Sequence, residues 1–508
     1  MHLCGRMFLI VGSRYRKLER SIRRFLAQND GASGAGLAAI LAPLMLACCS
    51  QPAANPVPAQ PEGWSDELAL PRAVDLNADP NVLEINLEAR VANVELIPGE
   101  PTAMWTYDGG LPGPLIRAKV GDRLIVHFKN SLPEGTTIHW HGLRIPAAMD
   151  GALTHDQSPI APGATFDYDF ILPDAGTFWY HPHFDSAAQL GNGLYGPLIV
   201  DDPTEPAALG DEVVMVLSDA SVDAGGTLEP ADSGGDFGTL FGREGNALLV
   251  NGRVNPTLQA RAGLRQRWRL INAARSRYFQ LSLAGHAFTR IGGDGGFIER
   301  PEVQSTVLLA PAERADVLVE PGSAVGEQLA EGLTLRWLPY DRGFGTAFNR
   351  PDEDVLRIRF NDQAPAQSPA LSGLGRTIPA MDIATATPVD ISLTLTIADD
   401  GTLAMGINGV PFSEAGHISA RVGERQVWTV RNTFEWDHPF HLHGFFFQVL
   451  DVNGIAPAVR EWKDTANVPV DGQMRFVVDF DDRPGMWMFH CHILDHAEAG
   501  MMGMILLR

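Results

Sequence analysis

The pattern of apolar and polar positions along this chain is that of short β-strands separated by turns. Residues 123–130 (RLIVHFKN) and 166–172 (FDYDFIL) alternate apolar and polar side chains with a period of two, which is typical of strands with one buried face. No long stretch follows the 3.6-residue period of a helix. The 52 glycines and 36 prolines are spread through the chain, as expected where many turns connect strands. The pattern therefore predicts an all-β protein.

A spaced pattern, G-x-R-x6-N, occurs three times and indicates three copies of one module. The copies begin at Gly121, Gly263 and Gly423. Each has a strand-like run between its arginine and its asparagine. Their separation suits one β-sandwich domain per copy.

The repeat sets the expected domain boundaries. We predict domains over residues 66–203, 204–362 and 363–508. Connections are expected near 201–211 and 362–388, and the second of these is long and rich in Ala, Pro and Ser.

Histidine clusters occupy matching positions in the first and third modules. HWH (139–141) and HLH (441–443) each begin nine residues after the repeated asparagine of their module. HPH (181–183) and HCH (490–492) each begin five residues after a glycine. At the offset of the first pair, the second module has leucines. We therefore expect metal sites in the first and third modules, and a spacer without ligands in the second.

The segment HCHILDHAEAGM (490–501) combines histidines, a cysteine and a methionine, all of which can bind a metal. On an extended strand, Cys491 points to the face opposite to that of its two neighbouring histidines, so one strand can serve two sites. Cys491, His496 and Met501 offer a thiolate, an imidazole and a thioether, which belong to the ligand set of a blue-copper electron-transfer site. The second imidazole of such a site must come from elsewhere in the chain.

Composition and charge narrow the possible functions. The chain has 508 residues, 45% of them hydrophobic, and a net charge of −22. We do not expect so acidic a protein to bind nucleic acid or anionic lipid. Cys4, Cys48 and Cys49 lie near the N-terminus, which leaves Cys491 without a disulfide partner in the predicted domains. No apolar run after residue 50 is long enough to span a membrane.

Residues 1–50 are predicted to be an export signal. Arg23 and Arg24 precede a weakly apolar, Gly/Ala-rich run, and this arrangement resembles a twin-arginine signal. It predicts a periplasmic protein, with Cys48 or Cys49 as a candidate site for a lipid anchor. Residues 51–65 would form a Pro-rich tether.

Four motifs in this order, HWHG, HPH, HPFHLHG and HCHILDHAEAGM, resemble those of the multicopper oxidase family, which includes laccases, bacterial cuprous oxidases and bilirubin oxidases. The flanking stretches DAGTFWYHPH and GLYGPLIV are similar to those of bacterial laccase-like members. The resemblance extends from residue 70 to the C-terminus. It implies three cupredoxin-like Greek-key β-sandwich domains and four copper ions.

The resemblance also implies a role for each ligand. The type 1 copper would be bound by His438, Cys491, His496 and Met501. The type 2 copper would be bound by His139 and His441. The two type 3 coppers would be bound by His141, His181 and His492 and by His183, His443 and His490.

Two acidic residues are candidates for proton delivery to the coppers. Asp150 matches an acidic position that the family uses near the copper cluster; the alternative is an ordinary turn residue. Ala497 stands where cuprous oxidases have a glutamate, and Glu498 is a candidate to replace it.

The implied activity is an oxidase that takes single electrons from phenolic or aromatic donors at the type 1 copper, through Cys491, and reduces O₂ to water at the other three coppers. The chain has no Met-rich segment of the kind that specialised cuprous oxidases carry. A periplasmic oxidase of Cu(I), Mn(II) or Fe(II) is the alternative, with Glu435, Asp437 and Asp464 either contacting the donor or being solvated surface acids. A second alternative is a copper-sequestering or envelope scaffold protein without turnover.

Overall fold

The structure, a computed structural model, describes most of the chain beyond the N-terminal region. The described residues are 68–97, 99–153, 157–206, 209–223, 225–323, 329–343, 350–371, 373–397 and 403–508. The predicted export signal and tether, together with Cys48 and Cys49, lie outside them. Among the helices in these ranges, none combines the length and the apolar character that crossing a membrane requires.

The first module is a sandwich of two four-stranded sheets. Its elements are β1 (Val82–Ile97), β2 (Glu100–Tyr107), β3 (Ile116–Lys119), β4 (Arg123–Asn130), β5 (His139–His141), a 3-10 turn (Ala147–Met149), β6 (Thr165–Ile171), β7 (Gly176–His181), helix α1 (Ser186–Gly191) and β8 (Gly196–Asp201). The sheet orders are β2-β1-β4-β6 and β3-β8-β7-β5. Apolar side chains of both sheets form one core between them.

The second module pairs a seven-stranded with a five-stranded sheet. Its elements are β9 (Asp211–Ala220), helix α2 (Gly235–Phe241), β10 (Ala247–Val250), β11 (Arg253–Val254), β12 (Thr257–Ala260), β13 (Gln266–Asn272), β14 (Phe279–Leu283), β15 (Phe288–Gly293), β16 (Gly296–Gln304), β17 (Thr306–Leu309), β18 (Arg314–Val319), a 3-10 turn (Leu329–Glu331), β19 (Leu333–Leu338) and β20 (Glu353–Phe360). The sheet orders are β11-β10-β9-β13-β18-β15-β16 and β12-β20-β19-β14-β17.

The third module has two five-stranded sheets. Its elements are β21 (Thr387–Ile397), β22 (Leu403–Ile407), a 3-10 turn (Phe412–Glu414), β23 (His417–Ala420), β24 (Arg425–Asn432), β25 (His438–Leu442), β26 (Phe447–Val452), β27 (Thr465–Val468), β28 (Gln473–Asp479), β29 (Gly485–Cys491), helix α3 (Leu494–Glu498) and β30 (Met502–Leu507). The sheet orders are β22-β21-β24-β28-β26 and β23-β30-β29-β25-β27.

One parallel pairing recurs in all three modules. The first long strand runs parallel to the strand of the repeat, as β1 with β4, β9 with β13 and β21 with β24. A parallel pair needs a crossover connection, so the shared pairing identifies one topology used three times. The predicted fold class, all-β with three cupredoxin-like Greek-key sandwiches, is confirmed.

The asparagine of the repeat fixes the loop that follows its strand. The Asn130 side-chain amide donates to the backbone oxygen of Ile160 (2.8 Å), and that of Asn432 donates to the backbone oxygen of Val468 (3.2 Å). In all three modules the asparagine Oδ1 accepts the backbone N–H two residues later. Because buried polar groups need hydrogen-bond partners, an apolar residue in place of the asparagine would leave these backbone N–H and carbonyl groups without one. In the first and third modules the side-chain amide of the asparagine also donates to the carbonyl four residues later, and so holds the loop that leads to the strand with the H-x-H pair.

The second module buries leucines at the positions where the other two modules have histidines. Leu281 and Leu283 on β14 belong to its apolar core. Within the described residues, no group of three or more candidate metal ligands draws a member from this module.

Candidate metal centres

Cys491, His438 and His496 converge at the end of β29. The Cys491 Sγ lies 3.4 Å from Nδ1 of His438 and 3.6 Å from Nδ1 of His496, and the two Nδ1 atoms are 3.2 Å apart. A point equidistant from three such atoms is about 2 Å from each, close to transition-metal bonding distances to nitrogen and sulfur. All three side chains are fully buried. We call these residues, with Met501, the Cys491 cluster.

Three elements of the third module supply this cluster. His438 begins β25 and Cys491 ends β29. Helix α3 follows β29 and brings His496 back toward Cys491. Met501 follows that helix and is fully buried in the same apolar core as Cys491. The backbone N–H of Cys491 donates to the backbone oxygen of Met501 (3.1 Å).

The second module closes one side of the Cys491 cluster. The His496 Nε2–H donates to the backbone oxygen of Leu240 on α2 (3.1 Å). Leu240 and Phe241 pack in the same apolar core as Cys491. Because Nε2 carries the proton, the lone pair of Nδ1 is directed toward Cys491.

Asp495 ties helix α3 to the same module. Its buried carboxylate accepts hydrogen bonds from Arg275 Nη2 (2.5 Å), the backbone N–H of Arg243 (2.8 Å) and Ser276 Oγ (3.1 Å). The position of the neighbouring His496 therefore depends on contacts from the second module.

Eight histidines from the first and third modules form a second, larger cluster. They are His139, His141, His181, His183, His441, His443, His490 and His492, and each is at most 6% exposed. We call them the eight-histidine cluster. Among facing ring nitrogens, Nε2 of His490 lies 3.1 Å from Nε2 of His443 and 3.3 Å from Nε2 of His183. Ring nitrogens that lie this close together and point toward a common centre have the arrangement of ligands that bind the same metal ion.

The remaining histidines extend this arrangement. Nε2 of His181 lies 3.4 Å from Nδ1 of His141. The His492 ring is 5.1 Å from the His141 ring and 5.4 Å from the His181 ring, between centroids. The ligand atoms of His139, His441 and His443 all lie within 4.8 Å of one another. The structure thus brings every sequence-predicted histidine into one of the two clusters.

Several ring nitrogens in the eight-histidine cluster are buried with no hydrogen-bond partner in the described part of the chain. They are Nε2 of His139, Nε2 of His441 and both ring nitrogens of His492. An unpaired buried polar atom costs about 1–3 kcal/mol. Imidazole nitrogens in this environment fit a metal such as copper, which would supply the missing partner.

The outward-facing ring nitrogens are held by fixed acceptors. Nδ1 of His441 donates to the backbone oxygen of Asp464 (2.9 Å), and Nδ1 of His490 donates to the backbone oxygen of Cys491 (2.9 Å). Nδ1 of His181 donates to the carbonyl of the next residue (2.9 Å). Each bond places the proton on the outer nitrogen and leaves the inner lone pair free for a metal.

Asp150 lies directly against this cluster. Its Oδ2 accepts from Nδ1 of His443 (2.8 Å), and its backbone oxygen accepts from Nδ1 of His139 (2.7 Å). Burial alone would raise the pKa of Asp150, but His443 and His139 outweigh it and hold that pKa well below its usual value. The aspartate is therefore ionised and in a position to orient the two rings, while its part in proton delivery stays a prediction.

Glu498 lies at the end of α3, with an exposed side chain. Its Oε1 accepts the backbone N–H of Ser186, the first residue of α1 (2.6 Å). The contact joins the third module to the first, three residues after His183. Whether this carboxylate serves proton transfer stays a prediction.

The three acids considered as donor contacts are not solvated surface groups. Asp464 is 1% exposed and its Oδ1 lies 3.1 Å from Nε2 of His141. Asp437 is 3% exposed; its Oδ2 accepts from the Tyr340 hydroxyl (2.8 Å) and its Oδ1 from a backbone N–H (2.9 Å). Glu435 is buried as well. The surface interpretation was wrong because all three acids are buried, and Asp437 and Asp464 have distant partners that no local pattern shows.

The metal-free protein should lose stability steeply in mild acid. Burial lowers the pKa of His443 to about 4 and those of His490 and His496 to about 3. The unfolded chain takes up these protons near pH 6.5 and the folded chain does not. As the pH is lowered from about 6.5, the free energy of unfolding should therefore decrease by about 1.4 kcal/mol per pH unit for each of these histidines. Urea unfolding of metal-free protein at about pH 7 and about pH 5 checks this, and an unchanged midpoint would contradict it.

Comparison with known proteins identifies the family of this chain. Models of multicopper oxidase domains match residues 88–205, 211–327 and 383–508. Multicopper oxidase MmcO of Mycobacterium tuberculosis is 34% identical, over 94% of this chain and 96% of that protein.

Solved structures agree with these matches. A multicopper oxidase of Campylobacter jejuni, described as a metallo-oxidase, has a TM-score of 0.75 at 29% identity, covering 86% of this chain and 94% of that one. A laccase-like multicopper oxidase, CueO of Ochrobactrum sp., described as active towards lignin model compounds, has a TM-score of 0.73 at 28% identity, covering 87% and 100%. The resemblance carried by the four histidine motifs is confirmed: this chain belongs to the multicopper oxidase family and is a laccase-like oxidoreductase that uses O₂.

Proposed function

We propose that the protein takes single electrons from phenolic or aromatic donors at the Cys491 cluster and reduces O₂ to water at the eight-histidine cluster. The observation that carries this proposal is the end of β29, where Cys491 belongs to one cluster and its two neighbours, His490 and His492, belong to the other. Bound copper would supply the one-electron redox chemistry that side chains lack.

We assign four copper ions to the two clusters. The type 1 ligands are His438, Cys491, His496 and Met501. The type 2 ligands are His139 and His441. The type 3 ligands are His141, His181 and His492 for one ion and His183, His443 and His490 for the other. The inward-facing, unpartnered nitrogens and the trigonal arrangement at Cys491 support this assignment.

The two clusters are linked through a single residue. Cys491 is covalently joined to His490 and His492, and its backbone oxygen also accepts the Nδ1–H of His490 (2.9 Å). Electrons that enter at the thiolate therefore have a covalent and a hydrogen-bonded route to the eight-histidine cluster. This short connection supports a division between donor oxidation and O₂ reduction.

The surroundings of the Cys491 cluster favour an organic donor over a metal ion. Both carboxylate oxygens of Asp437 already accept hydrogen bonds, and Asp464 contacts the eight-histidine cluster instead. Aromatic rings line the His438 side, with Phe434 at 4.6 Å and Trp436 at 6.3 Å between centroids. Two of the three candidate metal-binding acids are thus engaged elsewhere, and the aromatic lining suits a phenol.

O₂ uptake by copper-loaded protein tests the donor class. We expect a methoxyphenol to support uptake at least about tenfold faster than Cu(I) or Mn(II), a difference of about 1.4 kcal/mol in activation free energy. The reverse order would make the protein a metal-ion oxidase, and Glu435→Gln would then be the first variant to examine. Copper-loaded protein without uptake from any donor would point to a sequestering or scaffold function.

We further propose that the protein is exported to the periplasm by the signal in residues 1–50, and that residues 66–203, 204–362 and 363–508 are its domains. The paired arginines support export. A lipid at Cys48 or Cys49 remains part of this proposal.

A further inference from the structure

Arg314, the first residue of β18, lies where the three modules meet. Its Nε donates to the backbone oxygen of Thr177 in the first module (3.0 Å). Its Nη1 donates to Asp464 Oδ1 in the third (2.8 Å) and to the backbone oxygen of Ala312 in its own (2.9 Å). Its Nη2 also donates to Asp464 Oδ2. The guanidinium thus contacts both oxygens of a carboxylate from another module, and its remaining N–H groups are held by backbone oxygens.

Asp464 connects this arginine to the eight-histidine cluster. Its Oδ1 lies 3.1 Å from Nε2 of His141, and its backbone oxygen accepts from Nδ1 of His441 (2.9 Å). The rings of these two histidines stack at 3.9 Å between centroids, with a 16° angle between their planes. Thr465 donates its hydroxyl to the same Oδ1 (2.9 Å). One aspartate therefore contacts the outer edges of a first-module and a third-module histidine.

The glycine of HWHG leaves space for this ion pair. Gly142 follows His141 and has a φ of +89°. A Cβ at this position would lie 2.6 Å from Arg314 Nη2 and 2.7 Å from Asp464 Oδ2. The chain next to a predicted copper ligand is thus shaped to admit an arginine from the second module.

We propose that Arg314 is a positioning residue for the eight-histidine cluster. Its planar fork fixes the Asp464 carboxylate. Asp464 in turn sets the orientation of His141, a proposed type 3 ligand, through its carboxylate, and that of His441, a proposed type 2 ligand, through its backbone oxygen. The second module, predicted as a spacer, then takes part in O₂ reduction without supplying a ligand. The inference rests on the proposed function in assigning His141 and His441 to copper.

Electron paramagnetic resonance of copper-loaded Arg314→Leu tests the proposal. We expect the blue absorption of the Cys491 cluster to persist, and the type 2 copper signal to change shape or lose intensity. O₂ reduction should fall about 10- to 100-fold, the usual effect of losing an outer partner of a metal ligand, with the KM for the donor unchanged. Arg314→Lys should recover only part of the signal because lysine keeps the charge and lacks the fork.

Arg277→Leu is the matched control. Arg277 is also a buried arginine of the second module, but its Nε donates to Asp219 of the same module (2.7 Å). This variant should lower the Tm and leave the type 2 signal as in the wild type. The proposal would be overturned if both leucine variants lost the same amount of Tm and the type 2 copper signal of Arg314→Leu were the same as that of the wild type.

If Arg314→Leu does not fold, Asp464→Asn is the second variant to measure. It preserves the shape of the Asp464 side chain and removes the negative charge that Arg314 contacts. The same change in the type 2 signal is expected, and an unaltered signal would overturn the proposal. A wild-type protein without any type 2 signal would instead overturn the copper assignment on which the inference rests.

Discussion

Replacing Cys491 with serine should abolish oxidation of every donor. Cys491 is the one free cysteine among the described residues, is fully buried, and faces His438 and His496 at 3.4 and 3.6 Å. A serine hydroxyl is a hard, weak ligand for copper, whereas a thiolate is soft and forms the bond that gives the blue colour. Turnover should fall by at least about 1000-fold, or about 4 kcal/mol in activation free energy.

Absorption spectra, copper content and O₂ uptake together check this result. The Cys491→Ser protein should lose its blue absorption and one copper of four. Met488→Leu is a suitable control because it replaces a buried side chain on the same strand, β29, with one of similar volume. Continued oxidation of any donor by colourless Cys491→Ser would contradict electron entry at this cluster.

His441→Ala should separate the two halves of the reaction. His441 is fully buried, its Nε2 has no partner among the described residues, and its Nδ1 is held by Asp464. Its removal takes one of two proposed type 2 ligands and leaves the Cys491 cluster intact. The blue absorption should therefore remain and be bleached by a donor, while O₂ reduction falls by at least about 100-fold.

Anaerobic reduction followed by addition of O₂ distinguishes these steps. The blue absorption of His441→Ala should bleach at the wild-type rate and fail to return. His127→Ala is the control, since His127 lies on the surface of the first module beside Glu84 and Asp167. Loss of the blue absorption in a His441→Ala protein of wild-type Tm would show that the type 2 assignment is wrong.

The strands could be predicted from the sequence because their signal is local. The run at 123–130 is strand β4, and the run at 166–172 matches β6 to within one residue at each end. In a sandwich each strand has one buried and one exposed face, so side chains alternate. Helices α1, α2 and α3 left no such signal, because each spans seven residues or fewer and cannot show a 3.6-residue period.

The acids illustrate where local reasoning fails. In the sequence, nothing distinguishes Asp437 and Asp464 from the solvated surface acids of an acidic protein. Their burial depends on Tyr340, 97 residues from Asp437, and on Arg314, 150 residues from Asp464. No spacing within the third module could have indicated either partner, since both come from the second module.

The sequence by itself determined the three modules, the strand type and the identity of the ligand side chains, because repeats, alternation and H-x-H spacing are properties of short segments. Only the tertiary structure decided how the second module takes part. The carbonyl of Leu240 reaches His496 across 256 residues, and Arg314 reaches Asp464 beside His141. Hydrogen-bond partners and burial arise when separate sandwiches pack together, so neither is encoded in the pattern of any one of them.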